Sequence, residues 1–274
     1  RKFETNIKGV AAEFEHNDLV IDGHQVSTEA LFGKLESHVG PILDRIIRCR
    51  SLTNVTSGER VWLAFFLAAQ HVRTEQFRIN ILKLNEAISE KITKLGHDPS
   101  RVEGFRVMGK EDAKIQAALF LRTLKEFAPL FLDKAWMLFE SPITTPFFIG
   151  DNPLTLQNER DFGPYGNLGF ALPGIEIYLP LSPTLSLALW EKSNLVQIAD
   201  QLRQAEEATS QVISLKLLTL NNPGLTDASL SMGRSAIAYC KSILSSAESG
   251  TSALLSPDVV IRLNSLQVMF SARF

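Results

Sequence analysis

The sequence has few of the residues that often reveal a function on their own. It contains two cysteines, Cys49 and Cys240, too few for a disulfide framework or for a zinc site built from cysteine pairs. None of the five histidines lies four residues from another, so the paired arrangement of a helical metal site is missing. No G-x-S-x-G nucleophile motif occurs. These absences argue against a disulfide-rich secreted domain, a zinc finger and an α/β-hydrolase.

Long apolar runs and an excess of one charge are also missing. No stretch is long enough to span a bilayer, and the N-terminus has no signal-peptide pattern. The formal net charge of −2 gives no reason to expect a surface that wraps duplex nucleic acid, although a local basic groove stays open. We therefore predict a soluble, cytoplasmic protein with reduced cysteines and no membrane partner. The start at Arg1 and the stop within a helical pattern predict a chain trimmed at both ends.

What the sequence does contain is a series of helical patterns around one strand-rich region. Hydrophobic residues make up 45% and charged residues 21%, as in ordinary globular proteins. Apolar spacing predicts helices over 27–139 and 197–274, and alternation predicts short strands within 1–26 and in the sheet region 146–190. The predicted fold class is α+β, mainly helical, with a small mixed or antiparallel sheet. A single domain over 1–274 is the simplest arrangement.

Local signals divide the helical part further. Thr56 begins a capping-box pattern, which predicts the start of a helix. Because an uninterrupted helix from Thr56 to Gly96 would be unusually long, we expect a break near Thr74. A later helix is expected to continue to Phe139. Residues 245–256 are small and polar, which predicts a loop before a final helix that starts at Pro257.

The stretch from Pro146 to Pro183 is the clearest strand and turn region. Residues 147–149 form a short apolar run typical of a buried strand, and Gly150–Pro153 is a turn, because Pro153 keeps the preceding residue out of the helical region. Residues 175–179 alternate as in a half-buried strand. Pro180 and Pro183 favour a position at a sheet edge or a strand end.

Four short segments carry a resemblance to a known family: Gln70–Thr74, the Asp-Asn-Pro turn, Ile177–Pro183 and Leu263–Gln267 with the following Ala272–Phe274. Together they resemble a bacterial and fungal family, the domain of unknown function 4238, from roughly Leu31 to Phe274. Two departures stand out. The N-terminal His-His-x-Val-Pro motif of that family is absent, and Gly150 stands where the family usually has serine. The resemblance implies no established activity.

Arg73 is the main candidate for a functional residue. At 100° per residue with Trp62 at 0°, Phe66 lies at about 40° and Arg73 at about 20°, in the middle of an apolar stripe. Gln70 lies on the edge of that stripe at about 80°. His71 lies on the opposite side at about 180°, which predicts a solvated imidazole.

A guanidinium inside an apolar stripe requires an oxygen partner, because an unpaired buried charge is very unfavourable. Asp151 in the Gly150–Pro153 turn is the predicted partner of Arg73. Two interpretations stay open. The pair could be a structural link between helix and sheet, or Arg73 could bind a carboxylate or phosphate at an anion site.

Asp151 and Asn152 allow a second interpretation. With oxygens from Glu36 or Glu140 they could ligate a metal ion, but an Asp and an Asn in such a turn more often cap it, so no metal site is predicted. Gly104–Glu111 resembles a P-loop but lacks the final Ser or Thr. The glycine-rich residues 163–174 are interpreted as an irregular crossover or as a lid over a pocket.

Three functions remain compatible with these patterns. The first is a hydrolase-like or anion-handling protein whose binding residues are Gln70, Arg73, Asp151 and Asn152. The second is a non-enzymatic module that binds a small anionic ligand or a protein partner. The third is a scaffold in which the same residues are structural. Nothing in the sequence identifies a cofactor.

Overall fold

A computed structural model describes residues 18–21, 24–27, 29–121, 124–163, 166–218 and 223–272. In chain order its elements are β1 (Asp18–Ile21), β2 (His24–Ser27), α1 (Glu29–Cys49), α2 (Ser57–Val72), α3 (Glu75–Lys94), α4 (Lys110–Leu121), α5 (Leu124–Leu132), β3 (Ala135–Glu140), β4 (Thr155–Gln157), β5 (Glu176–Ser182), β6 (Leu185–Trp190), α6 (Lys192–Leu218), α7 (Pro223–Ser249), β7 (Ser252–Leu254) and α8 (Pro257–Phe270). The fold is α+β and mainly helical, as predicted.

Within the described residues, the strands form two sheets. β1 and β2 pair antiparallel, and Asp22-Gly23, a dipeptide that predicts a tight turn, lies outside the described residues. The second sheet has five strands in the order β4-β5-β6-β3-β7. Its pairs are antiparallel except for β3 with β7, which is parallel, so the sheet is mixed.

Helices cover both faces of the five-stranded sheet. Alternate residues of β3 show this directly: Trp136 and Leu138 face one apolar cluster, and Met137 and Phe139 face the other. The first cluster, called the N-terminal core, joins the sheet to α1, α2 and α5. The second, called the C-terminal core, joins it to α6, α7 and α8. The central strands are therefore buried on both sides.

The prediction that a helix continues to Phe139 is wrong, because the strand β3 covers Ala135–Glu140. Helix α5 ends at Leu132, and β3 lies between β6 and β7 with four consecutive fully buried residues. A short continuous apolar run does not reveal by its spacing whether it is a buried strand or a buried helix. Long-range pairing with β6 decides it here.

The strand-rich stretch also needed correction. β5 is an interior strand, not a half-buried edge strand, and its Pro180 is accommodated at a register shift between Pro180 and Ser182. The predicted buried strand at 147–149 is not a strand. Phe148 is 55% exposed and Ile149 is 66% exposed.

The predictions from local helix signals are confirmed. Thr56 forms the predicted capping box with Glu59, and the helix is interrupted between α2 and α3, where Thr74 is the N-cap of α3. The final helix starts at Pro257. The predicted loop at 245–256 is wrong for most of its length, because α7 continues to Ser249 and β7 follows.

Within the described residues, no helix combines the length and the apolar character that a bilayer span needs. Cys49 is exposed and Cys240 is buried, and both are free thiols. A cytoplasmic location stays a prediction.

Candidate functional site

Arg73 lies just after α2 and caps it. Its Nη1 is 2.7 Å from Oε1 of Glu36 on α1, and its guanidinium lies 5.7 Å from the ring of Phe32. Glu36 thus pairs with Arg73, and the pairing of Arg73 with Asp151 stays a prediction. The Arg73 side chain is 34% exposed, and half-exposed ion pairs of this kind contribute up to about 1 kcal/mol.

The side of α2 that faces inward is not the one that the helical wheel predicted for Arg73. Trp62 is 43% exposed and stacks on His38 at the surface, with ring centroids 4.7 Å apart. Most residues buried on α2 lie between about 80° and 280° on the same wheel; they are Leu63, Ala64, Leu67, Ala68, Gln70 and Val72. The small alanines allow α2 to pack against α1 and α5, whereas the larger aromatic side chains had set the predicted phase.

The stretch before the Gly150–Pro153 turn is held by a side chain of α8. The Oδ1 of Asn264 accepts a hydrogen bond from the Phe148 N–H at 2.8 Å, and its Nδ2 donates to the Pro146 carbonyl at 2.9 Å. The side-chain amide thus satisfies the backbone as a neighbouring strand would. Residues 147–149 are thus held in place without belonging to a sheet.

Gln267, one turn further along α8, holds the turn itself in the same way. Its Oε1 accepts from the Gly150 N–H and its Nε2 donates to the Pro153 carbonyl, both at 3.0 Å. Asn152 is buried and donates its Nδ2 to the Phe270 carbonyl at the end of α8. Among the described contacts, the turn is therefore an anchor for α8.

Asp151 accepts a hydrogen bond from the Ala272 N–H at 3.1 Å, beyond the end of α8. The two carboxylates considered as further metal ligands lie in other contacts, Glu36 with Arg73 and Glu140 with Arg50. In the described part of the chain, no three or more His, Cys, Asp or Glu side chains form a group that could hold a metal ion. Anion binding by the predicted residues, which are Gln70, Arg73, Asp151 and Asn152, stays a prediction.

His71 falls in the middle of the buried side of α2, so the prediction of a solvated imidazole is wrong. Its ring packs edge-on against Phe77 of α3 and Phe170, with centroids 5.1 Å and 4.8 Å away. Its Nδ1 is buried and has no hydrogen-bond partner among the described residues. Burial lowers the pKa of His71 to about 4, so the imidazole is uncharged at neutral pH.

His71 lines an open cleft of about 740 Å³, called here the His71 cleft. Its walls are Phe127 and Leu130 of α5, Leu156 of β4 and the glycine-rich residues 166–172. His71 and Asn167 are the polar side chains of this lining. The cleft lies at the edge of the N-terminal core and is mainly apolar.

The glycine-rich wall belongs to the loop 158–175, which connects β4 to β5. Its first residue, Asn158, is buried and accepts at its carbonyl from Nδ2 of Asn167 at 2.9 Å. Near its end, the Gly174 N–H donates to Glu191 Oε2 at 3.0 Å. Gly174 has a φ of +81°, a conformation that favours glycine. The Gly174 end of the loop is therefore tied to Glu191, the Asn167 side chain is bonded back to the start of the loop, and residues 166–172 line the cleft.

A second cluster of titratable groups lies where this loop joins β5. Trp190 Nε1 donates to Tyr178 Oη at 3.1 Å, and Tyr178 Oη donates to Glu176 Oε2 at 2.5 Å. Burial raises the pKa of Glu176 to about 7, against the opposing effect of the Tyr178 hydrogen bond. Burial, together with the nearby Glu176 charge, raises the pKa of Tyr178 well above its ordinary value.

Sequence reasoning missed His71, Glu176 and Tyr178 as site residues. Tyr178 and Glu176 occupy alternate positions of a strand that was predicted to have one solvent-exposed face. Long helical patterns before and after the strand region could have indicated that both faces are buried, because helices can then cover both faces of the sheet. A carboxylate on a covered face is then an expected candidate for a raised pKa.

Comparison with known proteins provides a family and no function. One family model, described as Protein of unknown function (DUF4238), matches residues 1–274. No curated protein and no solved structure matches the chain. The matched range includes all the segments on which the resemblance rested. The chain therefore belongs to the DUF4238 family.

Proposed function

We propose that this protein is a binding module that holds a small, uncharged and largely apolar molecule in the His71 cleft. The observation that carries the proposal is the cleft itself, whose volume of about 740 Å³ lies in the range of small-molecule sites. Ligand sites of this size are typically apolar with a few polar groups that orient the ligand. The His71 cleft has that composition.

The rings that surround His71 favour a flat apolar ligand. Phe170 and His71 meet edge to face at 4.8 Å, and Phe127 packs against Phe170 at 6.3 Å between centroids. Aromatic surfaces in this arrangement interact well with another ring offset or edge-on. Asn167 donates its Nδ2 to the loop backbone, which fixes the side chain and keeps its Oδ1 as an acceptor.

The charge state of His71 argues against an anion in this cleft. An imidazole with a pKa of about 4 carries no charge near neutral pH and offers no attraction to a carboxylate or phosphate. The hydrolase-like or anion-handling site predicted at Arg73 stays a prediction. In the structure Arg73 pairs with Glu36, and Asp151 binds the end of α8.

Filling the cleft tests the proposal. Leu130 is half-buried in the cleft wall, so Leu130→Trp should occupy ligand space. The probe is phenylnaphthylamine, an uncharged aromatic fluorophore. We expect saturable binding to the parent and at least tenfold weaker binding to Leu130→Trp, by fluorescence titration.

Leu132→Trp is the matched control, since Leu132 lies on the same helix, is exposed and does not line the cleft. It should bind the probe like the parent. Anilinonaphthalene sulfonate, which adds a negative charge to the same ring system, should bind more weakly than the uncharged probe. Absence of saturable binding to the parent, or equal binding by the two tryptophan variants, would refute the proposal.

A further inference from the structure

His71 is a polar side chain of the cleft wall that the fold itself leaves without a hydrogen bond. The cleft lining contains two polar side chains, and the other one, Asn167, already donates its Nδ2 to the Asn158 carbonyl at 2.9 Å. Among the described residues, the His71 side chain packs against the rings of Phe77 and Phe170 and makes no hydrogen bond. Its imidazole is therefore available to a molecule in the cleft.

The two ring nitrogens of His71 lie in different surroundings. Nδ1 is buried without a partner, whereas Nε2 is not buried in this way and is also unpaired among the described residues. Because the ring lines the cleft, Nε2 is the nitrogen that a bound molecule can reach. A ligand that covers Nε2 removes its hydration, which is unfavourable unless the ligand replaces the lost hydrogen bond. The ligand must therefore carry a polar atom for Nε2.

The same geometry argues against a metal ion or a metalloporphyrin at Nε2. A histidine that ligates a metal almost always donates its other ring N–H to a carboxylate, a carbonyl or water, which orients the ring and raises its basicity. Nδ1 of His71 has no such acceptor among the described residues, because the rings of Phe77 and Phe170 lie around it. Nε2 is therefore suited to a hydrogen bond rather than to metal coordination.

The chemistry of a neutral imidazole limits the group that satisfies Nε2. In the neutral ring one nitrogen carries the proton and the other has a lone pair, so Nε2 is either a donor or an acceptor. A hydroxyl group can both donate and accept, and it therefore satisfies Nε2 in either tautomer. A carbonyl can only accept, and a carboxylate would bring a charge into an apolar cleft. A hydroxyl is the smallest uncharged group that meets the requirement.

We infer that the His71 cleft selects an aromatic ring with an uncharged hydroxyl group, a phenol, whose hydroxyl bonds to Nε2 of His71. The inference rests on the proposed function, because it names the ligand class of the same cleft. The ring of the ligand packs against the apolar lining, which includes Phe127, Leu130 and Phe170. A phenolic hydroxyl has a pKa of about 10, so such a ligand is uncharged at neutral pH.

A thermodynamic cycle with two probes of nearly equal shape tests this hydrogen bond. The probes are naphthol and methylnaphthalene, substituted at the same ring position, and their dissociation constants are measured by fluorescence titration at neutral pH. His71→Phe removes Nε2 and keeps a flat ring beside Phe77 and Phe170. The ratio of the dissociation constant of methylnaphthalene to that of naphthol should fall about fivefold from the parent to His71→Phe. The cycle cancels the general difference in hydrophobicity between the two probes.

His97→Phe is the matched control, because His97 is exposed and does not line the cleft, and it should keep the ratio of the parent. Nitrogen NMR of the parent adds a measurement that needs no variant: naphthol should shift the Nε2 resonance of His71 more than methylnaphthalene does. If His71→Phe does not fold, the NMR result alone decides.

Two results would refute the phenol assignment: the same ratio in His71→Phe as in the parent, or an equal response of Nε2 to both probes. The cleft itself is judged separately. Saturable binding of methylnaphthalene that Leu130→Trp weakens supports the cleft even when the hydroxyl makes no difference. If neither probe binds the parent, the cleft and the phenol assignment fail together.

Discussion

At the scale of single residues, the structure shows that size is a poor guide to which side of a helix is buried. The large Trp62 lies at the surface against His38, while His71 is enclosed by Phe77 and Phe170. A protonated imidazole in that setting would lose its hydration and gain no acceptor at the buried Nδ1. His71 is therefore a source of acid sensitivity.

His71 should lower the stability of the fold at acid pH. Its pKa is about 4 in the folded state against about 6.5 unfolded, so the unfolded chain binds more protons below pH 6.5. Stability contributed by the neutral imidazole is complete above pH 6.5 and is lost progressively towards pH 4. The loss reaches about 3 kcal/mol at most.

His71→Phe should remove that part of the acid dependence. The measurement is the free energy of unfolding in urea at several pH values between about 4 and 7, compared with the parent. His97→Phe is the control, because His97 is exposed, and it should follow the parent curve. If the curve of His71→Phe runs parallel to that of the parent over this range, the imidazole is not buried in its neutral form.

At the scale of elements, α8 is held to the rest of the molecule in two ways, by its apolar residues in the C-terminal core and by hydrogen bonds from its polar side chains to backbone groups. Asn264 and Gln267 are three residues apart, so they lie on one face of the helix. Each bonds one N–H and one carbonyl of the segment 146–153. This explains why a stretch with strand-like composition needs no sheet partner. It also assigns a structural role to the Leu263–Gln267 motif.

Removing one of these side-chain amides should lower the free energy of unfolding. Asn264→Ala removes two part-buried hydrogen bonds, to the Phe148 N–H and to the Pro146 carbonyl, and the loss of one such bond costs about 0.5–1.5 kcal/mol. We expect Asn264→Ala to lower the free energy of unfolding by about 1–3 kcal/mol. Urea unfolding followed by circular dichroism measures it.

Ser265→Ala provides the comparison for that change. Ser265 is the next residue, is exposed, and its hydroxyl bonds only carbonyls of its own helix in the described contacts. Its loss should change stability by less than about 0.5 kcal/mol. A similar small effect for Asn264→Ala would mean that the 146–153 segment does not depend on α8.

At the scale of the whole molecule, the five-stranded sheet separates two cores and belongs to both. β3 supplies alternate residues to each. Helices α1, α2 and α5 come before all five strands of this sheet in the chain, and α6, α7 and α8 come after β6, with β7 between α7 and α8. The predicted single domain then requires that the two cores unfold together.

A cavity on either face of β3 tests that requirement. Leu138→Ala affects the N-terminal core and Met137→Ala the C-terminal core, and both side chains are fully buried. Each should cost about 2–5 kcal/mol. With one cooperative unit, unfolding followed by far-UV circular dichroism and by tryptophan fluorescence should coincide in both variants.

Separate transitions would point to two domains. In that case Leu138→Ala would shift only the transition of the N-terminal core, and Met137→Ala only the other. The cleft and the loop belong to the first core, and Glu176 with its tyrosine partner faces the second. A single transition would therefore also place the His71 cleft and the Glu176–Tyr178 pair in one cooperative structure.

The sequence by itself determined the features that depend on near neighbours in the chain. The capping box at Thr56, the break at Thr74, the start of α8 at Pro257 and the mainly helical α+β class follow from local hydrogen bonds and from the period of the apolar residues. The motifs also identified the family. These signals act within a few residues and need no knowledge of distant partners.

Only the tertiary structure decided which side of each element faces inward and which polar groups meet. Periodicity defines the relative positions of residues on a helix, but its phase depends on the surface that the helix packs against. Arg73 pairs with Glu36, and β3 is a strand, because α1 and β6 lie next to them in space. Glu176 has a raised pKa because helices on both faces exclude water from a strand that looks half-exposed in the sequence.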